Sequence, residues 1–134
     1  MVSCESLLRK RIEYIPEEEA EIYFKAADVL ILPNKNIFQI VFIYTSYHFG
    51  LPGVTADVGS LKDAVVEGIM GFICRPEDPE DLAKNNILYY HSELYKNMEA
   101  TREDIIKYTN ENHSCGLTGD KTFALYNNLL RNTL

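Results

Sequence analysis

Long apolar runs are missing from this chain. The longest, Ile37–Tyr44, is interrupted by Gln39 and stops at Thr45, well short of the roughly 18 residues a membrane-crossing helix needs. The first dozen residues place Arg9, Lys10 and Arg11 behind a weak apolar stretch, the reverse of a secretory signal. A cytoplasmic chain without a transmembrane segment is therefore expected. Cysteine is scarce as well: Cys4, Cys74 and Cys115 are odd in number and have no CxxC spacing. That argues against a disulfide framework and against a zinc knuckle. His48, His91 and His113 form no HxxxH or HExxH pattern, so no metal site is expected. Positive charge is thin and scattered, with 13 basic residues against 20 acidic ones and a net charge of −7. A duplex-binding protein concentrates its cations to neutralise phosphates, and here only Arg9–Arg11 cluster; nucleic acid is not an expected partner. A small phosphate-bearing ligand stays open, because backbone amides at a helix start bind anions without basic side chains.

What is present suits one globular domain. Of 134 residues, 46% are apolar and 11% aromatic, with only 7 Gly and 5 Pro; this is enough for a single core and too little for two ordinary domains. Arg11-Ile12-Glu13-Tyr14-Ile15 alternates and reads as a short strand. Pro16 followed by Glu17-Glu18-Glu19 reads as a helix start, with the carboxylates at the positive end of the helix dipole. Asp28–Pro33 is a continuous apolar run of the kind buried on both faces of a parallel sheet. Ile37–Gly50 is apolar nearly throughout and reads as a buried helix closed by Gly50. A turn then feeds a strand at 51–57, Ser60 offers an N-cap to a helix over 61–67, and Gly71–Pro76 reads as another strand. Asp78-Pro79 opens a further helix, and helical periodicity continues through 79–90, 92–110 and 118–132. The order βαβαβαβ followed by helices implies an α/β fold, a parallel sheet sandwiched by helices with a helical C-terminal segment, in one domain over 1–134. Ligands of such sheets bind beyond the carboxyl ends of the strands, here around 33–40, 57–61 and 75–78.

Four stretches carry a resemblance. They are Ile15-Pro16-Glu17 through Ala27-Asp28-Val29-Leu30-Ile31-Leu32-Pro33; Phe49-Gly50-Leu51-Pro52 with Ala56-Asp57-Val58-Gly59-Ser60; Glu67-Gly68 with Gly71-Phe72-Ile73 and Pro76 through Ala83; and His113-Ser114-Cys115. In this order and spacing the sequence, over residues 11–132, resembles the C-terminal domain of the retaining "group one" nucleotide-sugar glycosyltransferases. The resemblance implies half of a GT-B fold, Rossmann-like, whose complete form faces a second domain and transfers a sugar from a nucleoside-diphosphate donor to an acceptor hydroxyl. No cofactor beyond that donor substrate is implied. It also implies a partner: the acceptor domain and the first part of the donor domain, with the basic residue that touches the diphosphate, are not in this chain. Sheet edge and apolar surface that those parts cover are expected to drive homo-oligomer formation.

Departures from the family pattern gather at the ligand end. Its two glutamates correspond here to Ile37 and Thr45, neither of which supplies a carboxylate. Where relatives have Gln-Ser-Gly, Gln39 is followed by Ile40-Val41, and β-branched side chains crowd a phosphate where glycine admits it. Gly53 replaces an apolar strand residue and is expected to weaken that strand; Cys115 replaces a tryptophan, and Ile69-Met70 a Lys-Thr pair. The donor-binding candidates are accordingly Gln39, Ile40, Val41, Asp57 and Gly59, and no catalytic trio of nucleophile, base and orienter can be assembled. The expected function is the donor half of a glycosyltransferase, incompetent as an isolated chain. The alternative is a noncatalytic α/β interaction module. A receiver-like signalling domain is disfavoured, since Asp28 lies at the wrong end of its strand and Asp57 has no acidic pair.

Overall fold

The computed structural model describes residues 9–36 and 40–132. Helix α1 (Glu17–Ala26) begins after Pro16, whose φ of −56° suits a helix entry, and three glutamates fill its first turn. The apolar stretch behind it forms β1 (Leu30–Leu32), and α2 (Val41–His48) carries the chain to β2 (Gly53–Ala56). A one-turn helix, α3 (Leu61–Ala64), leads to β3 (Gly71–Cys74). Four helices follow: α4 (Pro79–His91), α5 (Glu93–Lys96), α6 (Met98–His113) and α7 (Cys115–Asn132). No helix among the described residues is long and apolar enough to cross a membrane.

The three strands are parallel and ordered β1-β2-β3, with Leu30 opposite Gly53 and Gly53 opposite Gly71. Alternation along the strands divides the core. Leu30 and Leu32 pack with Ile43, Tyr47, Leu61, Met70 and Ile105, against α2, α3 and α6. Val54 and Phe72 pack with Tyr89 and Leu94 of α4 and α5. The sheet is thus flanked by helices on both faces, as the strand and helix order implied.

One expected strand is absent. Residues 11–15 form no strand; Arg11 instead pairs with Glu13 and Glu19 and lies over the Tyr23 ring, which ties the segment to α1. A strand is stable only with a neighbour to receive its backbone bonds, and the edge of β1 does not receive this one. Other boundaries shift for local reasons. The helix expected over 61–67 ends at Ala64, where Val65 turns extended. Ser60 sits at the start of α3 but makes no side-chain cap. The helix expected from 118 starts three residues earlier because Ser114 Oγ accepts from Leu117 N–H at 3.2 Å.

Three glycine positions explain the close packing. Leu51 N–H donates to Ser46 C=O at 2.9 Å and Gly50 N–H to Tyr47 C=O at 3.0 Å, with Gly50 at φ +68°; this is a Schellman ending. A Cβ at Gly53 would lie 2.5 Å from Ile43 Cδ1, and one at Gly71 only 1.8 Å from the Gly53 carbonyl oxygen. The glycine expected to weaken β2 is the seat on which α2 rests.

Candidate functional site

The carboxyl ends of the three strands open onto a cleft of about 290 Å³ lined by Pro33, Lys35, Ala56, Cys74, Arg75 and the Glu77–Pro79 turn. Beside it lies a depression of about 340 Å³ that adds Asp57, Lys62, Glu67 and Asp81. This is where ligands of parallel sheets bind. The turn after β3 is unusual: Glu77 has φ +56°, a left-handed conformation that costs a non-glycine residue about 1 kcal/mol. Its carboxylate meets Lys35 Nζ at 3.1 Å, so the turn leans across the cleft toward the segment after β1.

The electrostatics of this edge are set by its own carboxylates. Asp78 caps α4, accepting from Asp81 N–H at 2.9 Å, and Arg75 N–H donates to Asp81 Oδ2 at 2.8 Å. The Arg75 guanidinium stands 3.0 Å from Asp78 and 3.7 Å from Asp81, and Lys62 is 3.8 Å from Asp57. The two depressions together therefore hold five carboxylates and three cations, and every cation already faces a carboxylate. The positive end of α4 is likewise occupied by its own cap and by Glu80 and Asp81 in its first turn. Burial, then Asp81 and Asp78, pushes the Cys74 thiol pKa up, which keeps it protonated and a poor nucleophile.

The residues singled out from sequence fall in several places. Asp57 lines the depression, is exposed, and pairs with Lys62. Gly59 occupies the adjoining turn at φ +54° without lining either hollow. Ile40 packs against the Ile43–Tyr47 core, whereas Val41, at the first turn of α2, is 61% exposed. Of the two β-branched side chains expected to crowd a phosphate, one thus turns inward. Thr45 Oγ1 donates to Val41 C=O at 2.9 Å, so its hydroxyl proton is committed within its own helix. Ile37 and Gln39 lie outside the described residues. Sequence reading did not single out Lys35 as a cleft residue, nor the Arg75–Asp78–Asp81 group as a salt-bridged one. The charge alternation Arg75-Pro76-Glu77-Asp78 around a helix cap was the available signal.

A third hollow, of about 570 Å³, lies away from the strand ends, lined by Tyr14, Ile15, Tyr23, Phe24, Phe42 and Leu51 among others. Its lining is mostly apolar, with Glu13 and the Tyr23 hydroxyl meeting Arg11 beside it, which distinguishes it from the charged cleft.

Comparison with known proteins agrees with this geometry. The chain is 30% identical over 81 residues to a D-inositol 3-phosphate glycosyltransferase of Streptosporangium roseum, covering 60% of this chain and 19% of that protein. It is 31% identical over 75 residues to the same enzyme of Geodermatophilus obscurus, covering 54% of this chain and 17% of the relative. It therefore spans under a fifth of the length of these curated relatives. Sucrose-phosphate synthase from Thermosynechococcus elongatus superimposes with a TM-score of 0.76 at 17% identity, over 90% of this chain and 30% of that one, a likeness of fold. The family described as glycosyl transferases group 1 matches residues 4–91, all three described strands and the helices that frame the cleft, and the chain belongs to that family.

Proposed function

We propose that this chain is the donor-side half-domain of a nucleotide-sugar glycosyltransferase that keeps the scaffold of the site and does not hold the donor by itself. The reaction class is transfer of a sugar from a nucleoside diphosphate: the bond from the anomeric carbon to the diphosphate oxygen breaks, and one to an acceptor oxygen forms as that hydroxyl loses its proton. The catalytic requirement is electrostatic, since charge develops on the departing diphosphate and must meet donors or cations already in place. Here the carrying observation is the reverse arrangement. At the carboxyl edge of the sheet five carboxylates outnumber three cations, and each cation is already paired. A diphosphate approaching within about 7 Å of one uncompensated carboxylate pays roughly 0.6 kcal/mol per charge pair even at the dielectric of water. Thr45, at a family carboxylate position, spends its hydroxyl proton on its own helix. The missing cations would come from a completing segment or partner chain that supplies the acceptor half.

Calorimetric titration of the purified chain with UDP- and GDP-sugars tests this reading. No heat, or a dissociation constant in the millimolar range, is expected; micromolar binding would overturn it. A second reading, a noncatalytic interaction module on the same scaffold, is favoured by one feature: α1 buries no residue fully and α7 carries a row of exposed apolar side chains. Donor binding gained on adding an acceptor-domain chain would decide for the enzyme half, and its continued absence for the module.

A further inference from the structure

Of the three cations at the carboxyl edge of the sheet, Lys35 is placed differently from the other two. Arg75 is held by Asp78 and Asp81 of its own segment, and Lys62 faces the nearby Asp57. Lys35 has no acid beside it in sequence, its neighbours being Asn34 and Asn36. Its partner is Glu77, 42 residues away, at 3.1 Å. Among the described residues neither of the two makes another ion pair. They stand on the connections after β1 and β3, the outer strands of the described sheet, and Ala56 of the middle strand shares the cleft lining with them. Two strand spacings amount to about 10 Å, a gap that two long side chains bridge by meeting over the middle strand. The pair therefore spans the cleft.

The backbone singles out the same residue. Glu77 has φ +56°, a conformation that glycine enters freely and a glutamate at a cost. The turn needs it to bring Asp78 into place as the cap of α4, where it accepts from Asp81 N–H at 2.9 Å. Glycine would serve that turn better, so what distinguishes glutamate there is the carboxylate it carries to Lys35. The Lys35 and Glu77 side chains are 70% and 62% exposed, and an ion pair that exposed is worth at most about a fivefold preference. Such a pair is displaceable.

We propose that the Glu77 carboxylate is an internal ligand: it fills the anion position beside Lys35, and a diphosphate enters the cleft by displacing it. The proposal rests on the donor-side reading of the cleft and names the group that regulates it. A diphosphate carries more charge than one carboxylate and so competes for the same ammonium group. The exchange swaps one ion pair for another and makes or breaks no covalent bond.

NMR titration of the isotope-labelled full chain with inorganic pyrophosphate tests this at low ionic strength, where ion pairs are least screened. Glu77→Gly should tighten pyrophosphate binding about fivefold, with thermal stability kept or raised because glycine accepts this φ. Adding Lys35→Met should abolish the gain. Glu80→Gln removes an equal charge from the exposed first turn of α4, where Glu80 makes no ion pair among the described residues, and should change the affinity less than about twofold. An unchanged affinity in Glu77→Gly, a gain that survives Lys35→Met, or an equal gain in Glu80→Gln would each overturn the internal ligand. If Glu77→Gly loses its circular dichroism signal, Glu77→Gln removes the charge without changing the size of the side chain and carries the same outcomes. Pyrophosphate has neither sugar nor base, so its failure to respond refutes the internal ligand alone. A gain with pyrophosphate that is not matched by UDP- or GDP-sugars would uphold the internal ligand and count against the donor reading.

Discussion

The side of the molecule built on β2, β3, α4 and α6 differs sharply from the side built on α1, the open edge of β1 and α7. On the first, Val54, Thr55 and Tyr89 are wholly inaccessible and Ile105 is only 1% exposed, and the glycine pair at 53 and 71 brings backbone and side chains into direct contact. On the second, α1 has no fully buried residue, Ile12, Tyr14 and Ile22 face outward, and among the described residues β1 bonds to a strand on one side only. Both sides are rich in apolar residues. The difference teaches that apolar content alone does not make a core; the layer opposite has to be supplied, and on the α1 side the described residues do not supply it.

The largest test of that contrast sets two truncations against each other. Ile105 of α6 is 1% exposed within the Ile43–Tyr47 cluster, so Ile105→Ala should cost about 3 kcal/mol from lost burial and the cavity left behind. Leu125 on α7 is 59% exposed, so Leu125→Ala should change stability by less than about 0.5 kcal/mol. Urea unfolding measures both. Equal losses would mean that α7 is packed as tightly as α6 and would erase the comparison.

Next in size is a polar clamp between the two sides. Arg102 of α6 donates to Ala27 C=O at 2.5 Å and to Phe49 C=O at 3.3 Å, tying the ends of α1 and α2 to the packed helix. Charge-assisted bonds to partly buried carbonyls are strong, and losing both leaves those acceptors unmet; Arg102→Ala should cost about 2 kcal/mol. A lysine has no fork to reach both carbonyls, so Arg102→Lys should recover less than half of the loss. Full recovery by lysine would reduce the clamp to a single charge.

The sequence made the locally determined parts of this fold legible. Asp78-Pro79 announces α4 because a carboxylate one residue before a proline caps a helix whatever lies beyond it, and Gly50 ends α2 because only the chain's own geometry is involved. Residues 11–15 misled because alternation describes a strand's faces and says nothing of whether a neighbour exists to bond it. Gly53 misled in the other direction: its cost to the strand is visible in sequence, and the Ile43 methyl that needs the space is not. A cleft does open at the strand ends, where the rule for parallel sheets looks for a ligand, yet its character was hidden. Lys35 and Glu77 are 42 residues apart, and nothing short of the folded turn shows that the cations there are already engaged. Thr45 was legible as a missing carboxylate, but its bond to Val41 was not.

The smallest expected effect concerns a bond that joins the packed side to the entrance of β1. Tyr89 is buried on α4, and its hydroxyl donates to Asp28 C=O at 2.6 Å. Burial first, then the neighbouring Asp28 carboxylate, pushes its pKa up from 10 to about 12. In the unfolded chain the phenol ionises near 10, so the folded state binds the proton more tightly. The stability this gives is complete below pH 10 and is lost as pH rises to about 12. Tyr47 moves in the same direction for the same reason, its burial, so alkaline unfolding of the parent chain carries both contributions. Tyr89→Phe should cost about 1 kcal/mol at pH 7, from the lost hydrogen bond and the carbonyl left without a donor. Because the variant has no phenol at this position to ionise, its stability should fall less steeply between pH 10 and 12, and the gap to the parent should close across that window. Chemical unfolding at a series of pH values measures the gap. A difference that stays constant from pH 7 to pH 12 would mean that the Tyr89 proton is held no more tightly in the folded chain than in the unfolded one, and that the link from α4 to the start of β1 is made by packing alone.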